Sequence, residues 1–389
     1  MIELPRIPRE EYPQRLERLR VLMKAAGLEG TLLTTGMNLA YFSGYPSPVR
    51  NVARPFFVLL PLSGDPVFFT QYGHKEEAER YSWIKDVRYY TELSHAPISM
   101  IRDALREREI FGTSIGMELG FEQTLDISHL EFCRLRDGLD PTRLVDASTM
   151  FWELRKIKSE AEIGCIRKAC QITNAAYEAT FSSASVGSSE LQIFRTMQGN
   201  LHRGGGGAMF LSITSGKDNY DLVTKQPDDR PLQPGDMVWM DAGCTVCGYW
   251  SDFSRGAVVG RPSAEQAHAQ EAIHQITWEA VQMVRPGVPA STLARFCYSR
   301  LDQLPFPITS SIARRAERVG HGVGLVTTEP PHIAEYDDTP LEPGMIITLE
   351  PGVATEYGTF NIEENLLVTP EGNEVLSQVS RALHQLPIG

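Results

Sequence analysis

Cysteine is scarce: six residues, at positions 133, 165, 170, 244, 247 and 297, in a chain of 389. That density excludes a disulfide scaffold and points to a reduced, cytoplasmic setting. Long apolar runs are also missing. The longest, near Pro55 to Leu62, falls far short of the roughly 20 residues that span a bilayer. Met1 to Glu11 alternates charged residues with prolines and has no apolar stretch, so no signal peptide is expected there. Basic charge is in deficit, with 37 Lys and Arg against 49 Asp and Glu and a formal charge of -12. So acidic a chain is a poor partner for the nucleic-acid backbone or an anionic membrane. No internal repeat or low-complexity tract occurs.

What remains is ordinary globular composition, 42% hydrophobic and 22% charged. At roughly 100–200 residues per domain, the length predicts two domains. The first 150 residues alternate helix and strand. Glu11 to Ala26 has mostly helical apolar spacing with Gly27 as a stop. Gly30 to Thr35, Phe56 to Leu62, Val67 to Gln71 and Ile115 to Glu118 read as strands, Asn38 to Gly44 as a turn, and His74 to Tyr81 as a charged helix. An α/β domain over 1–153 is expected.

From 154 to 389 the pattern changes to blocks. Ser159 and Glu162 form a capping box opening a helix to about Ser182. Further helices are expected over about Ser188 to His202, from Ser263 to before Arg285, and over about Ala290 to Gln303. Strands are expected at Ala208 to Thr214, Asp236 to Ala242, Tyr249 to Val259, Met345 to Leu349 and Ile362 to Val368. Blocks of this kind predict an antiparallel α+β domain.

Several acids sit where strands end. Asp241 closes the run Met237 to Met240, and a tight turn leads to Asp252, so a hairpin can bring the two side by side. Carboxylates that close need a shared proton or a cation, and hard oxygen ligands suit a divalent metal. Glu350 follows Met345 to Leu349, Glu363 precedes the apolar run Leu366 to Val368, and His321 stands between glycines in Gly320-His321-Gly322. Five candidate ligands, Asp241, Asp252, His321, Glu350 and Glu363, fit two metals bridged by carboxylates.

In this order the motifs DAG with GYWSDFSR, GHGVGL, LEPG and NIEE make the chain resemble the pita-bread metallohydrolases, which include methionine aminopeptidase, aminopeptidase P, prolidase and creatinase. Thr31 to Tyr45 resembles part of the creatinase-type N-terminal domain, and the linker from Leu154 to Ile163 resembles the entry into the catalytic domain. The resemblance implies a creatinase-like α/β domain over 1–153 and a pita-bread α+β catalytic domain over 154–389. It implies the five ligands named above, with Glu350 also the general base, Glu329 an orienting group beside the metals, and two divalent ions (Mn, Co, Fe or Zn) holding a bridging hydroxide. It sets Glu364 aside, because the family's I-E-D pattern aligns its Glu with Glu363. A homodimer acting on a small-molecule or short-peptide substrate follows by resemblance.

Two departures stand out. The family's peptidases carry two histidines beside the metals. The corresponding positions, seventeen before Asp241 and seven after His321, are Thr224 and Thr328. Losing one donor to a developing oxyanion costs roughly 10²–10³ in rate. Thr224 and Thr328 therefore count with Glu350 and Glu329 as candidate catalytic positions. His332, read as a loop histidine at the pocket rim, Tyr249, Arg255 and Asn361, which replaces a family Arg, are candidate substrate contacts. The leading expectation is an amide hydrolase of Xaa-Pro dipeptidase or aminopeptidase P type. The threonines leave two alternatives: a small C–N compound hydrolase or lyase on the same scaffold, or an inactive binding module. Cys244 and Cys247 are read as incidental to the hairpin.

Overall fold

In the computed structural model, which describes residues 4–46 and 53–388, the chain divides into two compact units. One is Ile7–Arg155; the other runs from Lys156 onward and includes the first described residues of the chain. The start of the Met1 to Glu11 segment lies outside the described residues. Among those described, no helix is long and apolar enough to cross a membrane.

The first unit is built on a six-stranded mixed sheet: β1 (Gly30–Leu33), β2 (Phe57–Pro61), β3 (Val67–Gln71), β4 (Asp86–Tyr90), β5 (Ser114–Met117) and β6 (Arg143–Asp146), in the order β4-β3-β2-β1-β5-β6. Strand β1 pairs antiparallel with β2 and parallel with β5. Its middle strands are buried throughout, as continuous apolar runs require. The segment expected as a turn at Asn38 to Gly44 is instead the helix Gly36–Ser43. The reason lies at Glu118, just past β5. Its buried carboxylate accepts the N–H groups of Thr34 and Thr35 at 2.9 and 3.3 Å, their hydroxyls at 3.2 and 2.7 Å, and the Asn38 amide at 3.2 Å. That network pins the backbone where the helix starts. Strands β4 and β6 carry charged residues without clean alternation, and the sequence pattern missed both.

The second unit is α+β. Its long helices are Glu160–Ser183, Glu190–Arg203, Ala264–Met283 and Ala290–Leu301. Three begin with complete capping boxes: Ser159 with Glu162, Ser189 with Gln192, and Ser263 with Gln266. Each satisfies two otherwise orphan backbone N–H groups. The strands are β7 (Met209–Ser215), β8 (Met237–Val246), β9 (Tyr249–Trp250), β10 (Phe253–Val259), β11 (Ser310–Ser311), β12 (His321–Gly322), β13 (Glu329–His332), β14 (Ile346–Leu349), β15 (Gly352–Thr355), β16 (Gly358–Asn361), β17 (Glu364–Thr369), β18 (Gly372–Val375) and β19 (His384–Leu386). They form sheets ordered β19-β10-β8-β7, with β9 on β8, then β11-β15-β16, and β13-β12-β14-β17-β18. Pairing is antiparallel except between β10 and β19. The helices Ala264–Met283 and Ala290–Leu301 share one apolar core with β14 and β17.

The run expected as one strand from Tyr249 to Val259 breaks at Ser251 and Asp252. There the chain presses against β8 so closely that a methyl on Gly243 would lie 1.9 Å from the Ser251 carbonyl oxygen. Glycine in Asp241-Ala242-Gly243 is thus what lets the Asp252 segment approach. Gly243→Ala is expected to destabilise the protein by about 2 kcal/mol or more through overpacking, read as a lower urea midpoint. An unchanged midpoint would contradict the close approach.

Candidate metal centre

Four separate segments deliver the five expected ligands. Asp241 lies within β8, opposite Ser254 of β10 and Ser212 of β7. Asp252 is not its cross-strand partner, as the hairpin expectation had it, because Asp252 sits in the break before β10, where Phe253 pairs with Ala242. Asn365 holds that break: its amide oxygen accepts the Asp252 N–H at 2.9 Å and its amide nitrogen donates to the Asp252 carbonyl at 2.6 Å. His321 on β12 donates its N–H to the Thr348 hydroxyl at 3.1 Å. Glu350 follows β14, its N–H bonded to the Val319 carbonyl at 2.8 Å. Glu363 lies between β16 and β17, its carbonyl accepting from Arg255 at 2.7 Å.

Their side chains converge. Ligand atoms of Asp252, His321 and Glu363 lie within 4.8 Å of one another. His321 Nε2 is 3.7 Å from Asp252 Oδ2 and 3.5 Å from Glu350 Oε1. Asp241 and Glu363 share a carboxyl–carboxyl hydrogen bond, while Asp241 Oδ1 is buried with no partner. Nδ1 of His321 lies 3.0 Å from the Gly322 carbonyl. A proton on Nδ1 leaves the Nε2 lone pair facing the acids, the arrangement of a ligating histidine.

The electrostatics agree. Burial pushes Asp241 and Glu350 up to about 7. Burial, then the charges of Asp241 and Glu350, holds Asp252 well above the carboxylate range. Glu363 is raised by burial and then by Asp252, Asp241 and Glu350. His321 is pulled down to about 3, first by burial and then by the charge of Arg318. Four acids that repel one another, a neutral imidazole and an orphaned carboxylate oxygen are a donor set that divalent cations satisfy.

Several expected contacts prove to be structural. Arg255 is corrected as a substrate contact: it is 1% exposed and all five N–H donors are committed, to Val379 O, Ser254 O, Glu363 O and both oxygens of Glu364. Glu364 is occupied further by Arg381 and Ser377. Tyr249 is corrected likewise: its buried hydroxyl donates to Glu162, the carboxylate of the first capping box. Asn361 is buried, with Oδ1 accepting from Ser254 at 3.2 Å. Glu329 forms a buried ion pair with Lys158 at 2.8 Å, both side chains 1% exposed, and a side chain on Gly324 would collide with it. Thr224 is exposed in a turn between β7 and β8. His332 is not at a rim: it is buried and pairs in register with His321 across β12 and β13. Cys244 is buried beside Thr173, and Cys247 occupies the exposed turn, donating to Pro5 O at 2.8 Å.

Sequence reading missed Arg318. Its Nη2 lies 3.4 Å from the Thr328 hydroxyl, and its charge acts on Asp252, Glu350 and His321.

Comparison with known proteins follows the same outline. Residues 164–370 match the model of metallopeptidase family M24, and residues 15–157 that of the creatinase/prolidase N-terminal domain. The chain belongs to metallopeptidase family M24. As a member it is a metallohydrolase. It is 28% identical to the Xaa-Pro dipeptidase of Pyrococcus furiosus over 95% of this chain and 99% of that protein. Identity is 26% to the Xaa-Pro dipeptidase of Pyrococcus horikoshii, over 95% and 98%. The fold matches the Xaa-Pro dipeptidase from Bacillus anthracis with a TM-score of 0.84 at 24% identity, covering 96% of this chain and all of that one.

The raised acids fix a pH dependence. A carboxyl whose folded pKa exceeds its unfolded value binds a proton on folding, so the metal-free protein loses stability as pH rises from about 4 through about 7. Divalent cations bound among these acids would replace those protons. The rise in melting temperature on adding Mn²⁺ or Co²⁺ is therefore expected to be larger at pH 8 than at pH 5.5, read by scanning calorimetry. A gain independent of pH would mean that the cluster does not hold the metal.

Proposed function

We propose that this M24 metallohydrolase hydrolyses the amide bond of Xaa-Pro dipeptides. Its cofactors in this reading are two divalent cations, Mn, Co, Fe or Zn, held by Asp241, Asp252, His321, Glu350 and Glu363. The observation that carries the reading is the convergence of the buried Asp252, His321 and Glu363 within 4.8 Å, with Glu350 Oε1 3.5 Å from His321 Nε2 and Asp241 Oδ1 left unpartnered. Near full-length similarity to two enzymes named Xaa-Pro dipeptidase supports the substrate class. Neither is a small C–N compound hydrolase, a lyase or a binding module.

Cations bound there supply Lewis acidity toward a carbonyl and lower the pKa of water. The side chains do the rest. Glu350 is the most open of the three acid and imidazole groups in ion-pair contact, 20% exposed against 7% for Asp252 and 4% for His321. It is placed to accept the proton of the attacking water and return it to the leaving nitrogen. His321, kept neutral, serves as a ligand and not as an acid. Glu329, neutralised by Lys158, orients the strand that follows Thr328 and carries His332. Six cysteines, none of them in a disulfide, support a reduced, cytoplasmic setting, and a homodimer completes the proposal by family resemblance.

Wild-type protein loaded with Mn²⁺ or Co²⁺ is expected to hydrolyse Xaa-Pro dipeptides. Glu350→Gln should reduce kcat by about 10²–10⁴-fold. His321→Ala should instead lower the metal content itself, read by elemental analysis. Absence of turnover by the metal-loaded wild type on a panel of Xaa-Pro dipeptides would refute the substrate class.

A further inference from the structure

Arg318 is a cation with no direct ion-pair partner among the described residues. It is half-buried, and its Nε is fully buried without a hydrogen-bond partner. Its contact with the Thr328 hydroxyl, at 3.4 Å, is long. Among the described residues no carboxylate is in ion-pair contact with it. Arg255 shows what a structural arginine looks like in this protein, with every donor taken and Glu364 as counterion. Burying a charge without a partner is costly, so a guanidinium kept in this state points to an anion that arrives from outside.

Its position says where. Arg318 precedes Val319, whose carbonyl holds the Glu350 N–H, and stands three residues before His321. Its charge favours the ionised forms of Asp252 and Glu350 and opposes a proton on His321. It also touches Thr328, one of the two positions where the family resemblance calls for histidine.

We propose that Arg318 is the catalytic donor that replaces the missing histidines, binding the substrate's carbonyl oxygen as negative charge grows on it. This rests on the amide-hydrolase reading above. Water oxygen bonds to the carbonyl carbon as the C=O π pair moves onto oxygen, where the guanidinium meets it. The oxyanion then re-forms the carbonyl, the C–N bond breaks with its electron pair going to nitrogen, and that nitrogen takes the proton Glu350 removed from water. A planar, positively charged donor fork suits an oxyanion.

The test compares wild type, Arg318→Lys, Arg318→Met and Arg318→Ala, each metal-loaded and checked for equal metal content by elemental analysis. On an Xaa-Pro dipeptide, Arg318→Met is expected to lower kcat by about 10²–10³-fold with KM within threefold. Lysine should recover part of the loss, and millimolar methylguanidine should raise the rate of Arg318→Ala but not of wild type. Calorimetry with inorganic phosphate as a tetrahedral anion should show at least tenfold weaker binding in Arg318→Met. A raised KM with unchanged kcat would overturn the proposal by making Arg318 an anchor for a ground-state carboxylate. Unchanged phosphate affinity together with no rescue would overturn it too. If wild type cleaves no Xaa-Pro dipeptide yet Arg318→Met still loses phosphate affinity, the substrate reading fails and the anion site stands.

Discussion

Four carboxylates and an imidazole are held together where Asp252, His321 and Glu363 are buried and Asp241 and Glu350 are partly buried. Nothing else in the catalytic unit carries so large a penalty, since each acid loses its hydration and feels the others' charge across a low dielectric. The fold must force these groups together, and a divalent cation bound among them would offset the cost. That requirement accounts for features that otherwise look unrelated. Asn365 grips both backbone polar groups of Asp252. Arg255 grips the carbonyl of Glu363. Gly243 admits the Ser251 segment at a distance no side chain allows. Each fixes a ligand by its backbone, so that the mutual repulsion of the side chains cannot open the site.

The surrounding charges are settled differently. Glu364, next to Glu363 in sequence, meets Arg255, Arg381 and Ser377. Glu329, next to Thr328, meets Lys158. Buried ion pairs of this kind add little net stability, and removing one partner is what costs. Their effect here is one of sorting. Of the two consecutive acids Glu363 and Glu364, one is neutralised within the protein and the other is left for a cation. The chain passes from one sheet to another between β16 and β17, so Glu363 in the connection and Glu364 at the start of β17 meet different surroundings.

The sequence made the frame legible where the signals were local or strictly spaced. Capping boxes at Ser159 and Ser263 placed helix starts to within a residue, and motif order picked out side chains of which Asp252, His321 and Glu363 converge. Strand β4 and the helix Gly36–Ser43 were hidden because tertiary contacts decide them: Glu118 reaches back across the sheet to set the helix start, which no window around Asn38 contains. Arg255 and Tyr249 looked like substrate contacts because they sit inside a functional motif. Only the geometry shows that their polar atoms are spent on Glu364 and Glu162. Arg318 failed the opposite way. It lies in the plain charged run Ala313-Arg314-Arg315-Ala316-Glu317-Arg318, where nothing distinguishes a solvated arginine from a functional one. His332 was read as a loop histidine at a rim, yet it ends β13, which contains Pro330 and Pro331, opposite His321.

The contrast between histidine and arginine beside such a centre follows from the same electrostatics. An imidazole buried here is neutral at physiological pH, as His321, drawn down to about 3, illustrates. Divalent cations would depress it further. A histidine in the place of Thr328 could then offer a neutral N–H but no charge. A guanidinium does not surrender its proton under such conditions, so it brings a full positive charge to the same place, at the cost of burying it. With two divalent cations balancing the four acids and His321 neutral, Arg318 would be the charge left over. A site with one uncompensated positive charge favours whichever state of the substrate carries more negative charge. In amide hydrolysis that state is the tetrahedral intermediate rather than the neutral amide, so the imbalance acts on the barrier more than on the binding.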